Sequence, residues 1–410
     1  MTATSTPDHR TMLAVGIVSL EFSAAVSTFV SSTLLPTVAR DLHARNHLGL
    51  LLAGPTIGLF VALPVAARLV RRLGAARTLS TGLVAYVGGA VVAATSRVPV
   101  VFAVGQFVGG LAGGLLAVFG ISSIIRHFDE RLRARIVAAS SAMWLVPALV
   151  GPAATLALEH VIGWRWTLLA PVPIVLIGRL LVSRATDADG DAGVRPLGRT
   201  LLIPLGVGGM VLSSGYWPIL GAAVALCGVV AIMPTGTATL RRGVPAALAA
   251  MVLFATGYFG ADGLITVLLT DGYRVSLPKA AIVLSAAPLA WALTSLVVRR
   301  APVAVGLVLA ACGAAALASS TSYVVALVGW TVSGIGVGLA YPGLYVSCTS
   351  AGSGFDATEL AAAVITAEAF GGLLGRATGG AVSLVTAYGL FAAALFAAAI
   401  VGRRRSQAAG

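Results

Sequence analysis

Charge is what this sequence has least of. Only 10% of its 410 residues are Asp, Glu, Lys or Arg, against about 25% in an average soluble protein. With 58% hydrophobic residues and 49 glycines, a water-soluble fold of this length could not cover its apolar surface with so few charges. That excludes a soluble enzyme, a soluble nucleic-acid binder and a disordered scaffold. Lysine is nearly missing: of 27 basic residues only Lys279 is one, a bias that fits a GC-rich coding sequence better than a functional demand. Cysteine is scarce as well. Cys227, Cys312 and Cys348 lie in apolar runs without paired or metal-ligand spacing, so they are expected to be small packing residues of a disulfide-free protein. Nucleotide-binding loops, metal clusters and nucleophile–base pairs are also lacking. Gly334-Ile335-Gly336-Val337-Gly338 has dinucleotide-loop spacing, but it lies inside an apolar run without the strand–turn–helix context such a loop needs. No ATPase, no other enzyme, no metal and no resident cofactor is expected.

What is abundant is uncharged runs near 20 residues, the length that crosses a bilayer as a helix. They fall at approximately 11–36, 49–69, 78–96, 99–125, 136–158 and 164–184, then 200–214 and 216–234, then 244–270, 279–298, 302–320, 322–349, 358–383 and 385–402. The fold class is therefore an all-α polytopic membrane protein with about fourteen transmembrane helices, of which the pair at 200–234 is shortest. The first run is too long for a secretory core and lacks a cleavage site, so it is expected to be a span. Charge placement orients the chain. With the N-terminus cytoplasmic, loops on the inner side collect 20 basic residues, including Arg71, Arg72, Arg77, Arg126, Arg131, Arg133 and Arg135, and the outer side collects six. This asymmetry is what the positive-inside rule requires, and it explains the net charge of +13 without a nucleic-acid partner.

The sequence also repeats itself. A shift of 224 residues aligns Gly82-Leu83-Val84 with Gly306-Leu307-Val308, and Gly89 with Gly313. It likewise aligns Gly105, Gly110, Gly114 and Leu115 with Gly329, Gly334, Gly338 and Leu339, and Gly151 with Gly375. One unbroken offset through three helices divides the chain into a cytoplasmic N-terminus at 1–10, a six-helix half at 11–184, and a linker with an extra apolar hairpin at 185–243. A second six-helix half at 244–402 and a basic cytoplasmic tail at 403–410 complete it. Two duplicated halves can rock about a site at mid-membrane, opening it to each side in turn, which is how secondary transporters work.

Against this background several motifs resemble the major facilitator superfamily, and within it the fourteen-helix drug/proton antiporters. Leu35-Pro36-Thr37-Val38-Ala39-Arg40-Asp41-Leu42 resembles the stretch that closes the family's first helix. Gly151-Pro152 resembles the core of the antiporter motif in the fifth, followed here by Thr155-Leu156 rather than a glycine pair. Gly163-Trp164-Arg165-Trp166, with Pro171-Val172-Pro173 after it, is similar to the signature opening the sixth and is the most specific match. The resemblance covers essentially the whole chain. It implies a multi-pass protein of the cytoplasmic membrane, working as a monomer, that exports a drug, antibiotic or other small organic molecule by proton antiport. Two positions depart from the pattern. The loop after the second span reads Arg71-Arg72-Leu73-Gly74-Ala75-Ala76-Arg77 without the family's aspartate, and Gln106 stands where the fourth helix of proton antiporters carries arginine.

Ionisable groups inside hydrocarbon are costly, so each is a functional candidate. Three acids fall well inside spans: Glu21, Asp262 and Glu368. At 1.5 Å per residue Glu21 and Glu368 each lie about 15 Å along their helices. An acid that is costly to leave charged suits proton loading and release near neutral pH; the alternative for each is a structural partner for serine, threonine or arginine. Arg376, two turns beyond Glu368, could counter a carboxylate, hold an anionic solute, or extend toward the interface. Trp144, Tyr258, Trp330, Tyr341 and Tyr345 are candidates for an adaptable wall around a small-molecule substrate, or for ordinary packing. Pro152 removes a helix hydrogen bond and is expected to bend its span. The leading expectation is a proton-driven exporter. An importer running in the opposite direction and a non-transporting sensor of the same fold are the alternatives.

Overall fold

A computed structural model of the chain describes residues 7–44, 48–183, 198–213, 217–298, 302–350 and 354–405. These form fourteen α-helices and no strand: α1 (Pro7–Asp41), α2 (Leu48–Ala94), α3 (Pro99–His127), α4 (Glu130–Met143), α5 (Leu145–Leu169), α6 (Val172–Ser183), α7 (Leu202–Leu212) and α8 (Trp217–Ile232) precede α9 (Val244–Val267), α10 (Leu277–Val297), α11 (Val303–Ser319), α12 (Tyr323–Cys348), α13 (Ala357–Ala381) and α14 (Leu384–Gly402). Nine of the described helices are long and apolar enough to cross a membrane.

Two of the helices each hold the junction between sequence spans. Within α2 the backbone breaks at Gly74, with φ 77° and ψ 164°, so that 48–73 and 75–94 are separate spans. Within α5 the break is at Gly163, with φ 77° and ψ 159°, so that Trp164 opens the next span. This conformation is essentially open only to glycine. The helix continues through Gly151 and Pro152, and the preceding break lies at Trp144, which caps α4. Counting across these junctions gives six spans, the α7–α8 pair, and six more. The pair is short. Eleven and sixteen residues rise about 16 and 24 Å, below the roughly 30 Å of a hydrocarbon core.

The chain packs as two units. One comprises Met1–His127, Val146–Ile232 and Asp356–Ala362; the other comprises Phe128–Leu145, Met233–Phe355 and Ala363–Gly410. Each therefore takes in one short segment from the opposite half of the sequence. In the first unit Val30, Leu34, Val38, Leu51, Phe102, Trp164 and Leu168 form a buried apolar core. In the second, Phe254, Tyr258, Trp330, Tyr388 and Phe391 are nearly fully buried.

The glycine repeat seen in the sequence becomes a packing template. In the first unit a Cβ on Gly89 would stand 2.7 Å from Gly105 O, and one on Gly110 would stand 2.2 Å from Pro55 O. The corresponding glycines make close backbone contacts in the second unit too, where a Cβ on Gly313 would meet Gly329 O at 2.3 Å and one on Gly334 would meet Ala287 O at 2.2 Å. Helices in lipid lack a hydrophobic drive to associate and rely on such close backbone approach. Of the cysteines, all free, only Cys348 is a packing residue; Cys227 and Cys312 are exposed on apolar helices, correcting the expectation that all three pack inside.

Candidate functional site

The richest chemistry lies inside the second unit, where α9, α10, α12 and α13 bring aromatic and ionisable side chains together. Phe254 and Tyr258 are one turn apart on α9, and their rings stack with a 6° tilt at 5.9 Å. Tyr258 continues the stack onto Trp330 of α12, at 9° and 5.4 Å. Trp291 of α10 stands edge-on to Tyr258, at 88° and 5.5 Å, and packs against Tyr341 at 5.0 Å. Tyr345, one turn beyond Tyr341, extends the cluster with a centroid separation of 5.7 Å.

Ionisable groups border this cluster. Asp262 follows Tyr258 by one helical turn, so both occupy one face of α9. Arg376 of α13 lies against the same stretch of helix: a Cβ on Gly263 would come 3.0 Å from its Cγ, and its charge interacts with that of Asp262. The close approach is made by glycine on both helices, since a Cβ on Gly375 would stand 2.2 Å from Thr256 O. Glu368, on α13 two turns before Arg376, is half-buried and accepts a hydrogen bond of 2.9 Å from the Tyr341 hydroxyl. On the other side of α9, Tyr388 donates to Ala261 O at 2.7 Å, fixing the backbone beside Asp262. Four polar atoms of the cluster are buried without a hydrogen-bond partner among the described residues: Tyr258 Oη, Asp262 Oδ1, Trp291 Nε1 and Trp330 Nε1.

Thus seven of the sequence candidates, Tyr258, Asp262, Trp330, Tyr341, Tyr345, Glu368 and Arg376, converge here. Others do not. Trp144 is 38% exposed and makes none of the cluster's ring contacts. Glu21 on α1 and Gln106 on α3 are half-buried within the first unit. Gly151 packs against α1, where its Cβ would meet Phe29 Cβ at 3.2 Å. Arg72, Gly74 and Arg77 are exposed around the break in α2, and the Arg71 side chain lies outside the described set.

Several connected residues were not singled out from the sequence. Trp291 completes the aromatic cluster. Asp41, at the end of α1, accepts from Trp164 Nε1 at 3.2 Å and pairs with Arg165 at 2.9 Å, while Arg165 also donates to Ser96 O at 3.0 Å. The two most family-like motifs, 35–42 and 163–166, are therefore partners in one polar staple. Arg133, assigned from sequence only to a loop, is 2% exposed and donates to the Thr349 carbonyl and to Phe128 O. Arg126 pairs with Asp356 at 3.5 Å and donates to Thr358. In the repeat, 126 and 349 end equivalent spans while 133 and 356–358 begin equivalent ones, so these two anchors are pseudo-symmetric counterparts.

Comparison with known proteins agrees with this architecture. The family description Major Facilitator Superfamily matches residues 17–376. The multidrug efflux pump SdrM of Staphylococcus aureus is 24% identical over 170 residues, 41% of this chain and 38% of that protein. The probable multidrug-efflux transporter Rv1634 of Mycobacterium tuberculosis is 28% identical over 183 residues, 44% of this chain and 39% of that one. The chain thus spans about two-fifths of the length of these curated relatives. Among solved structures, the human organic anion transporter MFSD10 superposes with a TM-score of 0.74 at 13% identity, covering 97% of this chain and 100% of that one. The Escherichia coli fucose:proton symporter FucP gives 0.70 at 17% identity, covering 96% and 98%. These likenesses carry the fold. With the family match running across most of the sequence, the helical architecture and the duplicated glycine template, the chain belongs to the major facilitator superfamily, a multi-pass family of membrane transporters.

Proposed function

We propose that this transporter exports small organic molecules in exchange for protons, by alternating access of two six-helix halves, 11–184 and 244–402. The observation that carries the reading is the Asp262–Arg376 arrangement beside the aromatic cluster. An acid and a guanidinium share a low-dielectric interior in which neither is easily left alone. While Asp262 is ionised, Arg376 offsets its charge. A proton arriving on the carboxylate removes that charge and leaves the guanidinium without its counterion, so protonation changes the local balance at a packed helix junction. Glu368, held by Tyr341, and Glu21 in the first half are the companion proton carriers. Protonation from outside favours the inward-facing state, and proton release inside accompanies solute capture and expulsion. Each inward charge contributes roughly 2.3 kcal/mol per 100 mV. The multidrug efflux assigned to SdrM and Rv1634 supports the outward direction. The excess of inner-loop arginines supports cytoplasmic termini in the cell membrane.

A susceptible host expressing the chain, exposed to a panel of toxic compounds, tests direction and energy source together. Raised tolerance that a protonophore abolishes is the expected result, and Asp262→Asn should lower that tolerance to near that of the host without the chain. Solute accumulation in the cell under an inward proton gradient would instead make the protein an importer. A ligand-dependent signal without flux would make it a sensor.

A further inference from the structure

The four unpartnered polar atoms belong to one corner of the second unit, and their chemistry is specific. Tyr258 Oη, Trp291 Nε1 and Trp330 Nε1 are hydrogen-bond donors; Asp262 Oδ1 is an acceptor. Buried donors without acceptors are costly and rare in native proteins, so a cluster of three beside a carboxylate calls for a partner. Ring geometry adds a shape requirement. Phe254, Tyr258 and Trp330 lie in nearly parallel planes, tilted by 6° and 9° between neighbours, while Trp291 closes the corner at 88°. Parallel aromatic planes are complementary to another flat ring system in offset stacking. Trp330 is fully buried, whereas Trp291 on α10 is half-buried.

We propose that this corner seats a planar, multi-ring organic solute that carries two or three carbonyl or ether oxygens and one amine or hydroxyl donor. The oxygens accept from Tyr258, Trp291 and Trp330; the donor reaches Asp262 Oδ1; the rings extend the aromatic stack. This deepens the export reading and rests on it, because it names the chemical class that the same site carries. It also excludes a class. A bulky quaternary cation without oxygen acceptors leaves all three donors unmet and gains nothing from them.

The test measures binding alone, on the full chain in lipid nanodiscs without a proton gradient. Two probes serve: doxorubicin, a flat quinone with an amine, and tetraphenylphosphonium, a globular cation with no acceptor. Doxorubicin anisotropy should report saturable binding. Tyr258→Phe removes the hydroxyl and keeps its ring, while Trp291→Phe and Trp330→Phe remove the indole N–H and leave a smaller aromatic ring; each should raise its Kd at least about fivefold, equivalent to about 1 kcal/mol for the neutral hydrogen bond. Trp217→Phe, at a tryptophan 67% exposed on α8, should leave Kd unchanged. Any tetraphenylphosphonium binding should be indifferent to all four. Absence of doxorubicin binding at millimolar concentration, or wild-type affinity in the three donor variants, overturns the proposal. If a tryptophan variant fails gel filtration, Tyr258→Phe, the loss of a single oxygen, decides. The site and the transport reading fail separately. Weakened binding in the variants without flux in vesicles keeps the site and removes the exporter. Flux with unaltered Kd does the reverse.

Discussion

Gly110 and Gly334 make the same helix contact in the two halves of the molecule, yet the residues four positions before them, Gln106 and Trp330, share nothing but their place in the repeat. The contrast extends around the cluster. Gly114 packs on the Ala62 and Leu59 side chains where Gly338 packs on the Thr294 side chain and the Trp291 carbonyl, and Tyr341 and Tyr345 stand at the repeat positions of Ala117 and Ile121. Duplication has preserved the glycine contacts that set helix distances, while the side chains hung on that frame have diverged. The first half carries Gln106 where the second carries Trp330, and in the second half stacked rings lie beside Asp262 and Arg376. Scaffold and chemistry are thus separable in this chain.

The comparison breaks most easily at the glycines. Gly110→Val and Gly334→Val each drive a side chain into a carbonyl oxygen at 2.2 Å, and each should destabilise by about 3 kcal/mol or more, seen as a loss of monodisperse protein on thermal challenge in detergent. Tolerance of one but not the other would show that the two contacts are not equivalent. By contrast Gly109, whose Cβ meets nothing within 4 Å, should accept alanine with a gain of about 0.5 kcal/mol. A smaller effect sharpens the divergence. Trp330→Ala removes the end of the ring stack and should cost about 2 kcal/mol or more, as a packing cavity rather than a water-transfer loss. Gln106→Ala at the equivalent point should cost about 1 kcal/mol or less, the two being compared by thermal midpoint.

The paired anchors set a buried arginine against a partly exposed one. Arg133→Met leaves the Thr349 and Phe128 carbonyls without their buried donor, and should cost about 1.5–3 kcal/mol. Arg126→Met breaks a pair whose two side chains are each 26% exposed and should cost about 0.2–1 kcal/mol, falling further in high salt. Equal losses would mean that burial does not distinguish these pseudo-symmetric positions.

How far the sequence carried follows the same division. Features that depend on one dimension were legible: the runs of uncharged residues give helices, and the 224-residue offset pairs Gly89 and Gly110 with Gly313 and Gly334, which make close helix contacts in both units. Features that depend on distant partners were not. Asp41 reaches Trp164 and Arg165 across more than 120 residues, and Arg133 finds Thr349 across 216. Trp291 escaped notice because nothing in its own helix marks it; its meaning comes from Tyr258 and Tyr341 on other helices. Asp262, Glu368 and Arg376 were legible because hydrocarbon makes any charge conspicuous, but that Asp262 and Arg376 face one another required the glycine-mediated approach of α9 and α13. The central pair, already the shortest in the sequence, is shorter still as helices, with eleven residues in α7 and sixteen in α8.

Exchange of solute for proton is tested most directly in respiring inverted vesicles with a pH dye in the lumen, using a compound to which the chain confers tolerance. Addition of that compound should raise lumenal pH as protons leave and solute enters, and the response should be lost in Asp262→Asn. Solute uptake into the lumen with no proton movement, or with protons travelling in the same direction, would contradict proton-driven export.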